Sequence, residues 1–496
     1  MLRGNTLLNN NLIKIMKLIK YSILKYPLIL FIAGAVFSGC KKPNDFGDMN
    51  INPNGAPAAP TSALLTNVLS GLGNVASNTN QGFYVQYYTE LQYPGNSLYQ
   101  QTAVSWDGFY AGSLEDEQNI INICTKNPSF AVLSGNPVNQ IQIARILKAY
   151  TYSIVTDRFG DIPYFGALSG ATQVTYDKQK DIYADLFKEL TSAVSSFQNT
   201  GTAIKGDIMY NGNINQWIKF ANSLRLVLAM RLSKVDPATG KTQFTAALND
   251  AGGFIQSNAD NLVINFANGF PNPYYNLASA SQFGITKTLA DTLNKYSDPR
   301  TPLYGQAVGG KVKGVPYGLN RGNSLTWLTA NTDFSQAFDN SFKGINSPIV
   351  IFPAAYIDLI RAEAALDPNY ASGENAFLLY QKGIQDSWDQ WGATGSINNY
   401  LSGIGVASSV TKKQVQLQIW LALYGTSQNA WNEWRRTGVP SLMPSPDAVN
   451  LSKTIPRRFA YPATEVNVNT AAYNAAVAAF PYGGTDLHDN RVWWDK

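Results

Sequence analysis

A stretch rich in aromatic and amide side chains, YVQYYTELQYPGNSLYQQTAVSWDGFY, spans residues 84–110. Within it, Tyr93 and Tyr99 flank the sequence PGNS, whose composition is typical of a tight turn, and Asn96 lies inside that turn. A tyrosine has a flat apolar face with a polar hydroxyl at its tip, and an amide both donates and accepts hydrogen bonds. These residue types suit the apolar faces and hydroxyl groups of a sugar, or the mixed surface of a peptide.

Other aromatic residues extend this set. Trp106 lies where the next helix is expected to begin, Tyr274 and Tyr275 lie in the sequence FPNPYYN, and Tyr317 and Trp327 are weaker candidates. For each ring the alternative is packing in the core, because aromatic side chains are also the largest apolar groups that a protein can bury. The candidate ligand-binding residues are Tyr93, Asn96, Tyr99, Trp106, Tyr274 and Tyr275.

Residues for covalent catalysis or for tight metal binding are scarce. The chain has one histidine, His488, and two cysteines, Cys40 and Cys124. Ser-His-Asp and Cys-His mechanisms need a histidine beside the nucleophile, and zinc sites are built mainly from Cys and His. No Walker-type phosphate loop occurs. We therefore predict no catalytic residue, no metal and no cofactor, and we expect Cys124 to be a small buried apolar residue.

The N-terminal segment has the pattern of a secretion signal. Residues 1–39 contain five bases and no acid, and the apolar run Leu28–Phe37 is shorter than the roughly 20 residues that span a bilayer as a helix. The sequence FSGC that ends at Cys40 resembles the lipobox of bacterial lipoproteins, in which cleavage precedes an acylated cysteine. We predict a signal peptide over 1–39 that is removed, lipidation at Cys40 and a non-helical lead-in over 40–62. An ordinary secretory signal is the alternative.

Removal of this signal changes the charge of the protein. The whole chain has 38 Lys and Arg against 33 Asp and Glu, and loss of the five signal-peptide bases leaves 33 of each. A nucleic-acid-binding protein needs an excess of basic charge. We therefore predict no nucleic acid partner.

Helices must position the candidate binding segments. Apolar residues within 182–197 recur every three or four positions after Asp177, a candidate N-cap. Helical stretches that follow one another in pairs favour antiparallel hairpins stacked side by side. Residues 252–350, rich in Gly, Asn, Pro, Ser and Tyr, are predicted to form loops and short strands over that scaffold. Similar apolar spacing predicts further helices at about 139–158, 217–228, 356–364, 373–390 and 411–436.

Two arginine pairs are predicted to stabilise the structure instead of binding a ligand. Arg435 and Arg436 end a predicted helix, where cations favour the helix dipole. Arg457 and Arg458 are expected to pair with acids beneath the loops. The sequence GDIPY at 160–164 has the Gly and Pro of a fixed corner after a helix.

Several segments, in order along the chain, resemble one family, the SusD/RagB nutrient-binding lipoproteins, and within it the SusD-like branch. They begin with CKKPNDFGDMNINPNGAPAAPTSALL directly after the signal. The others are RILKAYTYSIVTDRFGDIPYFGAL, YDKQKDIYADLFKEL, WIKFANSLRLVLAMRLSKVDP, PIVIFPAAYIDLIRAEAAL, LYQKGIQDSW, WNEWRRTGVP, IPRRFAYPATEVNVN and GGTDLHDNRVWWD. The resemblance runs from the signal to the last residues.

This resemblance implies a mainly α-helical fold, with tetratricopeptide-like helical hairpins as a scaffold for an irregular, loop-rich ligand-binding face. It implies a single domain over 63–496 with a loop-rich insertion at about 252–350. It also implies a non-catalytic outer-membrane lipoprotein that captures oligosaccharides, or in some members peptides, and delivers them to a SusC-type TonB-dependent transporter. Lys41 and Lys42 stand where surface-displayed lipoproteins often have acids, so display at the cell surface is an expectation with the inner face as its alternative.

Two other classes of function stay open at this point. A glycoside hydrolase needs only two carboxylates roughly 5–10 Å apart, and the chain has 33 acidic residues, although none stands in a motif that indicates catalysis. Stacked helical hairpins also occur in scaffolds that contact only partner proteins.

Overall fold

The computed structural model describes residues 59–101, 103–171, 173–267, 269–278 and 283–496, apart from the side chains of 276–278 and 482. The predicted signal peptide, Cys40 and most of the predicted lead-in lie outside the described residues. The chain divides into two units, Met1–Ala59 and Pro60–Lys496, and the second is described below.

Helices provide most of the regular structure of the described residues. Four short strands form two antiparallel pairs, β1 (Tyr88–Glu90) with β3 (Phe283–Ile285), and β2 (Leu262–Ile264) with β4 (Ile349–Phe352). This composition confirms the predicted mainly α-helical fold. The helices are α1 (Thr61–Ala76), α2 (Asn80–Tyr84), α3 (Glu115–Lys126), α4 (Pro128–Ala131), α5 (Pro137–Phe159), α6 (Gln179–Ser195), α7 (Ile214–Arg231), α8 (Pro237–Leu248), α9 (Pro273–Ala278), α10 (Lys287–Lys295), α11 (Thr301–Tyr304), α12 (Arg321–Ala330), α13 (Asn340–Lys343), α14 (Ala354–Leu366), α15 (Ala376–Trp391), α16 (Ile397–Gly403), α17 (Lys412–Ala422), α18 (Ser427–Thr437), α19 (Glu465–Val468), α20 (Thr470–Val477) and α21 (Pro481–Gly484).

The long helices pack against their neighbours in the chain. Helix α5 contacts α3 and α6, α6 contacts α7, and α7 contacts α8 and α14. Helix α14 packs in turn against α15 and α17, and α17 packs against α18. Each helix buries an apolar stripe that it cannot cover alone, so the pairs form one continuous core. The arrangement is the predicted tetratricopeptide-like scaffold.

Helix α5 and the corner after it follow from local sequence. The Asn136 side chain caps α5 by accepting two backbone hydrogen bonds, of 2.8 and 3.3 Å, and Pro137 occupies the first helical position. Gly160 ends the helix with a φ of 88°, a conformation that favours glycine. Ile162 and Asp177 then exchange two backbone hydrogen bonds. The GDIPY segment is therefore the fixed corner that its sequence predicts.

Asp177 does not cap α6, so that prediction is wrong. The helix begins at Gln179, and the side chain before it makes no capping bond. Instead the Asp161 carboxylate accepts a hydrogen bond from the Gln179 backbone N–H at 2.9 Å. The Asp177 carboxylate accepts the backbone N–H groups of Tyr164 and Phe165 at 3.0 and 2.8 Å. The corner pairing turns Asp177 toward the GDIPY segment, and an acid from that segment caps the helix.

The helix predicted over 411–436 is two helices, α17 and α18. A capping box of Thr411 and Gln414 starts α17. The chain turns between the two helices at Gly425, which has a φ of 92°. Apolar residues continue across this turn, so periodicity alone does not reveal the break.

Residues 252–350 contain short strands as predicted, but also helices α9–α13 that were not predicted. Helix α10 buries Leu289, Ala290 and Leu293 on one side. It is short, with nine residues, and it lies in a segment whose overall Gly, Asn, Pro and Ser content is typical of loops, so composition masks its apolar spacing.

Three of the four arginines form ion pairs, and Arg435, Arg436 and Arg458 are buried whereas Arg457 is half-buried. Arg435 has no acid within ion-pair distance among the described residues and donates to the side-chain oxygen of Asn432 and to the backbone carbonyl of Arg457 at 2.8 Å. Arg436 donates to Glu363 of α14 at 2.8 and 2.5 Å and to Glu433 of its own helix at 2.9 and 2.6 Å. Arg457 and Arg458 form ion pairs with aspartates of the C-terminal tail. Breaking such a buried pair costs about 3–5 kcal/mol, because a charge is left without compensation. These arginines hold the scaffold together, as their positions predict.

Cys124 is the buried apolar residue that its sequence context predicts. It lies in α3, and burial raises the pKa of its thiol to about 12. Among the described residues, no group of three or more His, Cys, Asp or Glu side chains is arranged to hold a metal ion. Within the same ranges, no helix has both the length and the apolar character needed to cross a bilayer.

Candidate ligand-binding surface

Two of the five aromatic candidates present their rings to solvent. Tyr93 is 61% exposed and Tyr275 is 45% exposed, whereas Tyr99, Trp106 and Tyr274 are buried. A ring without an exposed face cannot stack on a ligand from solvent. The three buried rings therefore support the surface of the protein and do not form it, in line with the alternative of core packing.

Residues 93–99 form a turn that carries Tyr93 and is called here the Tyr93 turn. Tyr99 fixes the end of this turn. Its backbone has a φ of 62°, and its N–H donates to the carbonyl of Asn96 at 3.1 Å. The Tyr99 hydroxyl accepts a hydrogen bond from the backbone N–H of Ser445 at 3.0 Å, and burial raises the pKa of this hydroxyl to about 12. Tyr99 thus joins the turn to a segment that lies far away in sequence.

Asn96 also stabilises the turn, through hydrogen bonds to Glu90. The Glu90 carboxylate accepts the backbone N–H of Asn96 at 2.8 Å, its side-chain Nδ2 at 2.7 Å and the backbone N–H of Ser97 at 3.2 Å. Burial raises the pKa of Glu90 above its usual range, and these three hydrogen bonds oppose that rise. The middle of the turn is thus bound to Glu90 and its end is fixed by Tyr99, which makes it a firm support for the Tyr93 ring.

Trp106 and Tyr274 lie in different aromatic clusters of the core. Trp106 directly precedes the helical segment that begins at residue 107, as predicted, and its ring centroid lies 5.2 Å from that of Phe159. The Tyr274 hydroxyl donates to the carbonyl of Gly425 at 3.1 Å, and its ring lies 4.6 Å from that of Phe338. The structure therefore does not bring the predicted site residues together at one place.

Tyr93 lies beside the start of α12. The guanidinium carbon of Arg321 is 5.7 Å from the centroid of the Tyr93 ring, within the distance of a cation–π contact. The hydroxyl of Ser324, also on α12, donates to the carbonyl of Leu91 at 2.6 Å. Helix α12 thus contacts the Tyr93 ring and also the backbone two residues before it.

Residues 445–449 complete this part of the surface. Oδ2 of Asp447 accepts the backbone N–H of Asn320 at 2.8 Å, its Nδ2 at 2.9 Å and Nδ2 of Asn323 at 3.2 Å. The backbone N–H of Val449 donates to a carbonyl of the Tyr93 turn at 2.8 Å. The exposed parts of the following residues are called the Tyr93 surface: Tyr93, Arg321, Asn323 and Asp447.

The sequence singles out Tyr93 but not Arg321, Asn323 or Asp447. These three come from segments more than a hundred residues further along the chain, and each is an ordinary polar residue of its segment. The sequence NRGN gives one local signal, since asparagine is a common helix N-cap and so marks the start of a helix at Arg321. In the structure Asn320 is this N-cap, and its side chain accepts the backbone N–H of Asn323 at 3.0 Å.

The Tyr93 surface suits non-covalent binding. The exposed ring can stack on a sugar ring, while the guanidinium and amide groups beside it donate hydrogen bonds to hydroxyl or carbonyl oxygens. The two carboxylates in this region already have partners, since Glu90 holds the turn and Asp447 holds the two asparagines.

A cleft of about 560 Å³ lies between α10, α17 and residues 439–441. Tyr296, Leu417 and Pro440 supply apolar walls, and Lys295 and Lys413 are among its charged residues. The chain then continues from this cleft through residues 443–449 to the Tyr93 surface. The cleft and the surface are therefore joined by one short segment.

A family model described as "SusD-like_2: Starch-binding associating with outer membrane" matches residues 53–462. No protein with a curated function matches the chain at a significant level. The family match covers most of the sequence.

Solved structures similar to this chain have the same fold. A chitin-binding protein shares 28% identity with a TM-score of 0.75, and the alignment covers 88% of this chain and 99% of the other. A SusD homologue from Bacteroides uniformis shares 25% identity with a TM-score of 0.73 over 88% and 99% of the two chains. A chitin-binding SusD homologue from Flavobacterium johnsoniae, at 23% identity and a TM-score of 0.72 over 88% and 98%, supports the fold alone. The chain belongs to the SusD-like family, whose members associate with the outer membrane.

Proposed function

We propose that this protein captures oligosaccharides at the Tyr93 surface without chemically changing them. The observation that carries this proposal is the exposed Tyr93 ring, held on a rigid turn beside the Arg321 guanidinium. A rigid aromatic ring loses little conformational entropy when it stacks on a ligand. The chitin-binding protein at 28% identity makes oligomers of β-linked N-acetylglucosamine the first ligands to test. Their acetamido groups offer carbonyl oxygens to the donors beside Tyr93.

The N-terminal sequence and the family support a proposal for the cellular setting. We propose that residues 1–39 are removed and that Cys40 is lipidated, which anchors the protein in the outer membrane with its binding face at the cell surface. More than one acyl chain gives stable anchoring, whereas a single chain binds a membrane only marginally. The captured ligand passes to a SusC-type TonB-dependent transporter. Peptides are the alternative cargo of the same complex.

Isothermal titration calorimetry on the soluble protein, produced without residues 1–40, tests both which ligand class binds and whether it binds at the Tyr93 surface. The titrants are chito-oligosaccharides, starch-derived oligosaccharides and short peptides. We expect saturable binding of one oligosaccharide class, about tenfold weaker in Tyr93→Ala and little changed in Tyr93→Phe, because stacking needs the ring. Leu378→Ala on α15, which removes an equally accessible apolar side chain (58% exposed), is the matched control.

The other outcomes separate the alternatives. Binding of peptides alone identifies the alternative cargo, and binding that Tyr93→Ala leaves unchanged places the site elsewhere. Product formation detected by chromatography, and abolished by one Asp or Glu substitution, identifies a glycoside hydrolase. Absence of any small ligand, with a transporter still co-purifying, supports a scaffold that contacts only proteins.

A further inference from the structure

A second cleft, of about 240 Å³, lies between α5 and α6 beside the GDIPY corner. It shares no lining residue with the Tyr93 surface. Phe165, the residue after the GDIPY sequence, lines it and is 59% exposed. The exposed ring offers an apolar face at a polar cleft, and covering a phenylalanine side chain is favourable by roughly 1.5–3 kcal/mol. The ring is held in place by an edge-on contact with Tyr164, at a centroid distance of 4.9 Å.

Two helix faces supply the polar groups of this cleft. Arg145, Lys148 and Tyr152 follow one another at intervals of three and four residues, so they share one face of α5. Asp185 and Glu189 share the facing side of α6 in the same way. These five side chains converge on a space that the small Ala149 leaves open between them, and Ala149 itself lines the cleft.

Some of these groups lack a full set of partners. The Tyr152 hydroxyl is buried and has no hydrogen-bond partner among the described residues. A buried hydroxyl without a partner costs about 1–3 kcal/mol, and a bound ligand can relieve that cost. Lys148 donates to Gln118 at 2.6 Å, and no carboxylate lies within ion-pair distance of its ammonium in the part of the chain that the structure describes. Burial lowers the pKa of Lys148, and the carboxylates around it oppose the change.

The charge and the size of the cleft indicate its ligand. Its two bases, Arg145 and Lys148, balance its two acids, Asp185 and Glu189, so the lining carries no net charge. Arg145 and Glu189 already pair at 2.9 Å, and Asp185 accepts the Tyr164 hydroxyl at 2.9 Å. A neutral ligand with several hydroxyl groups can bond donors and acceptors on both walls without a charge penalty. The volume is below the roughly 300–1,000 Å³ of sites for drug-sized ligands, which favours a single sugar residue.

We propose that this cleft is a second carbohydrate subsite that takes one neutral pyranose residue, with Phe165 as its stacking surface. The proposal rests on the proposed capture of oligosaccharides but concerns a separate part of the molecule. Lys148 and the Tyr152 hydroxyl donate to the sugar, and the Asp185 and Glu189 carboxylates accept from it. The chain would then hold a glycan at two places, which strengthens attachment to a branched or long polymer through a higher effective concentration.

Saturation-transfer NMR with N-acetylglucosamine and glucose tests this subsite directly. The background is Tyr93→Ala, which weakens the proposed main site, and glucuronate is the charged comparison. We expect monosaccharide binding to persist in this background. It is then lost when Ala149→Leu fills the cleft, and it weakens about tenfold in Phe165→Ala. Tyr152→Phe removes only a hydroxyl and should weaken binding about fivefold, and Leu378→Ala is the control for loss of an exposed apolar group. Melting temperatures identify any variant that has lost its fold.

The results distinguish this proposal from the proposed function. Monosaccharide binding that Ala149→Leu and Phe165→Ala leave unchanged overturns the second subsite, while oligosaccharide binding at the Tyr93 surface stands. If the single substitution Tyr93→Ala abolishes all monosaccharide binding, the second subsite is also overturned, because every monosaccharide then binds at the Tyr93 surface. A preference for glucuronate contradicts the neutral ligand class. If no mono- or oligosaccharide binds the unsubstituted protein, the proposed function and the second subsite both fail.

Discussion

Glu363 joins three helices of the scaffold, so its replacement by glutamine should destabilise the protein strongly. The residue lies on α14 with no exposed surface. Its carboxylate accepts two hydrogen bonds from Arg436 of α18, at 2.8 and 2.5 Å, and one from Gln416 of α17 at 2.7 Å. Glutamine keeps the shape and one acceptor oxygen but not the charge, which leaves Arg436 with Glu433 as its remaining acidic partner. Because Arg436 keeps Glu433 but loses hydrogen-bond acceptors at Glu363, we expect the free energy of unfolding to fall by at least about 1–3 kcal/mol.

Urea unfolding, followed by far-UV circular dichroism and tryptophan fluorescence, measures this loss. The matched control is Asp291→Asn, because the ion pair of Asp291 with Lys287 is exposed on both sides, at 59% and 63%. An exposed pair of this kind contributes about 0–1 kcal/mol. If Glu363→Gln costs no more than the control, the assignment of Arg436 and Glu363 as a buried structural pair is refuted.

The same substitution has a predicted pH dependence. Burial by itself raises the pKa of Glu363, but the Arg436 guanidinium and the hydrogen bonds to the carboxylate outweigh it and hold that pKa below its usual range. A glutamate whose pKa is lowered by folding contributes stability above its unfolded pKa of about 4.3, and loses it as the pH falls through the folded pKa. The difference in stability between the unsubstituted protein and Glu363→Gln should therefore shrink in acid. A constant difference down to the acid unfolding limit contradicts this reasoning.

Three further predictions concern the Tyr93 turn, the helical scaffold and the membrane anchor. Tyr99→Phe removes the acceptor of the Ser445 backbone N–H and should lower the free energy of unfolding by about 1–3 kcal/mol, measured by urea unfolding; an unchanged midpoint would contradict the role given to Tyr99. Gly425→Ala should cost at least about 1–2 kcal/mol, because the φ is 92° and an added Cβ would lie 2.9 Å from an aromatic ring. Gly403→Ala, where an added Cβ meets nothing within 4 Å, is its control. Cys40→Ser should move the protein from the membrane fraction to the soluble fraction of fractionated cells, and retention at the membrane would argue against lipidation.

Features that depend on residues close together in sequence are predicted well. The helix predicted at about 139–158 is α5, Pro137–Phe159, whose capping Asn136, Pro137 and Gly160 all lie at its ends. The structural role of Arg436 was predicted from its place near a helix end. In contrast, Asp177 was assigned as a cap because it precedes α6, and the capping carboxylate is Asp161 of the preceding corner. Local patterns do not show which of two nearby acids turns toward a helix end.

The candidate site was predicted only in part, because aromatic residues serve burial and binding alike. Nothing near Tyr93 or Tyr99 in sequence shows that one is 61% exposed and the other is buried. That difference depends on Ser445, whose backbone N–H bonds the Tyr99 hydroxyl, and on the segment after it. Arg321 and Asp447 reach the same surface through contacts that no local pattern encodes.

Composition and local sequence patterns predict the class of this protein. The N-terminal charge and apolar pattern predict secretion and lipidation, the shortage of histidine and cysteine argues against the common catalytic mechanisms, and the helical periodicity predicts the scaffold. Such features depend on composition or on neighbours within a few residues, so they can be read along the chain. Only the folded protein shows which rings reach solvent, which acids are occupied by hydrogen bonds, and that α5 and α6 enclose a cleft lined by Phe165. Exposure and convergence of side chains result from the packing of distant segments, and that packing is a property of the whole fold.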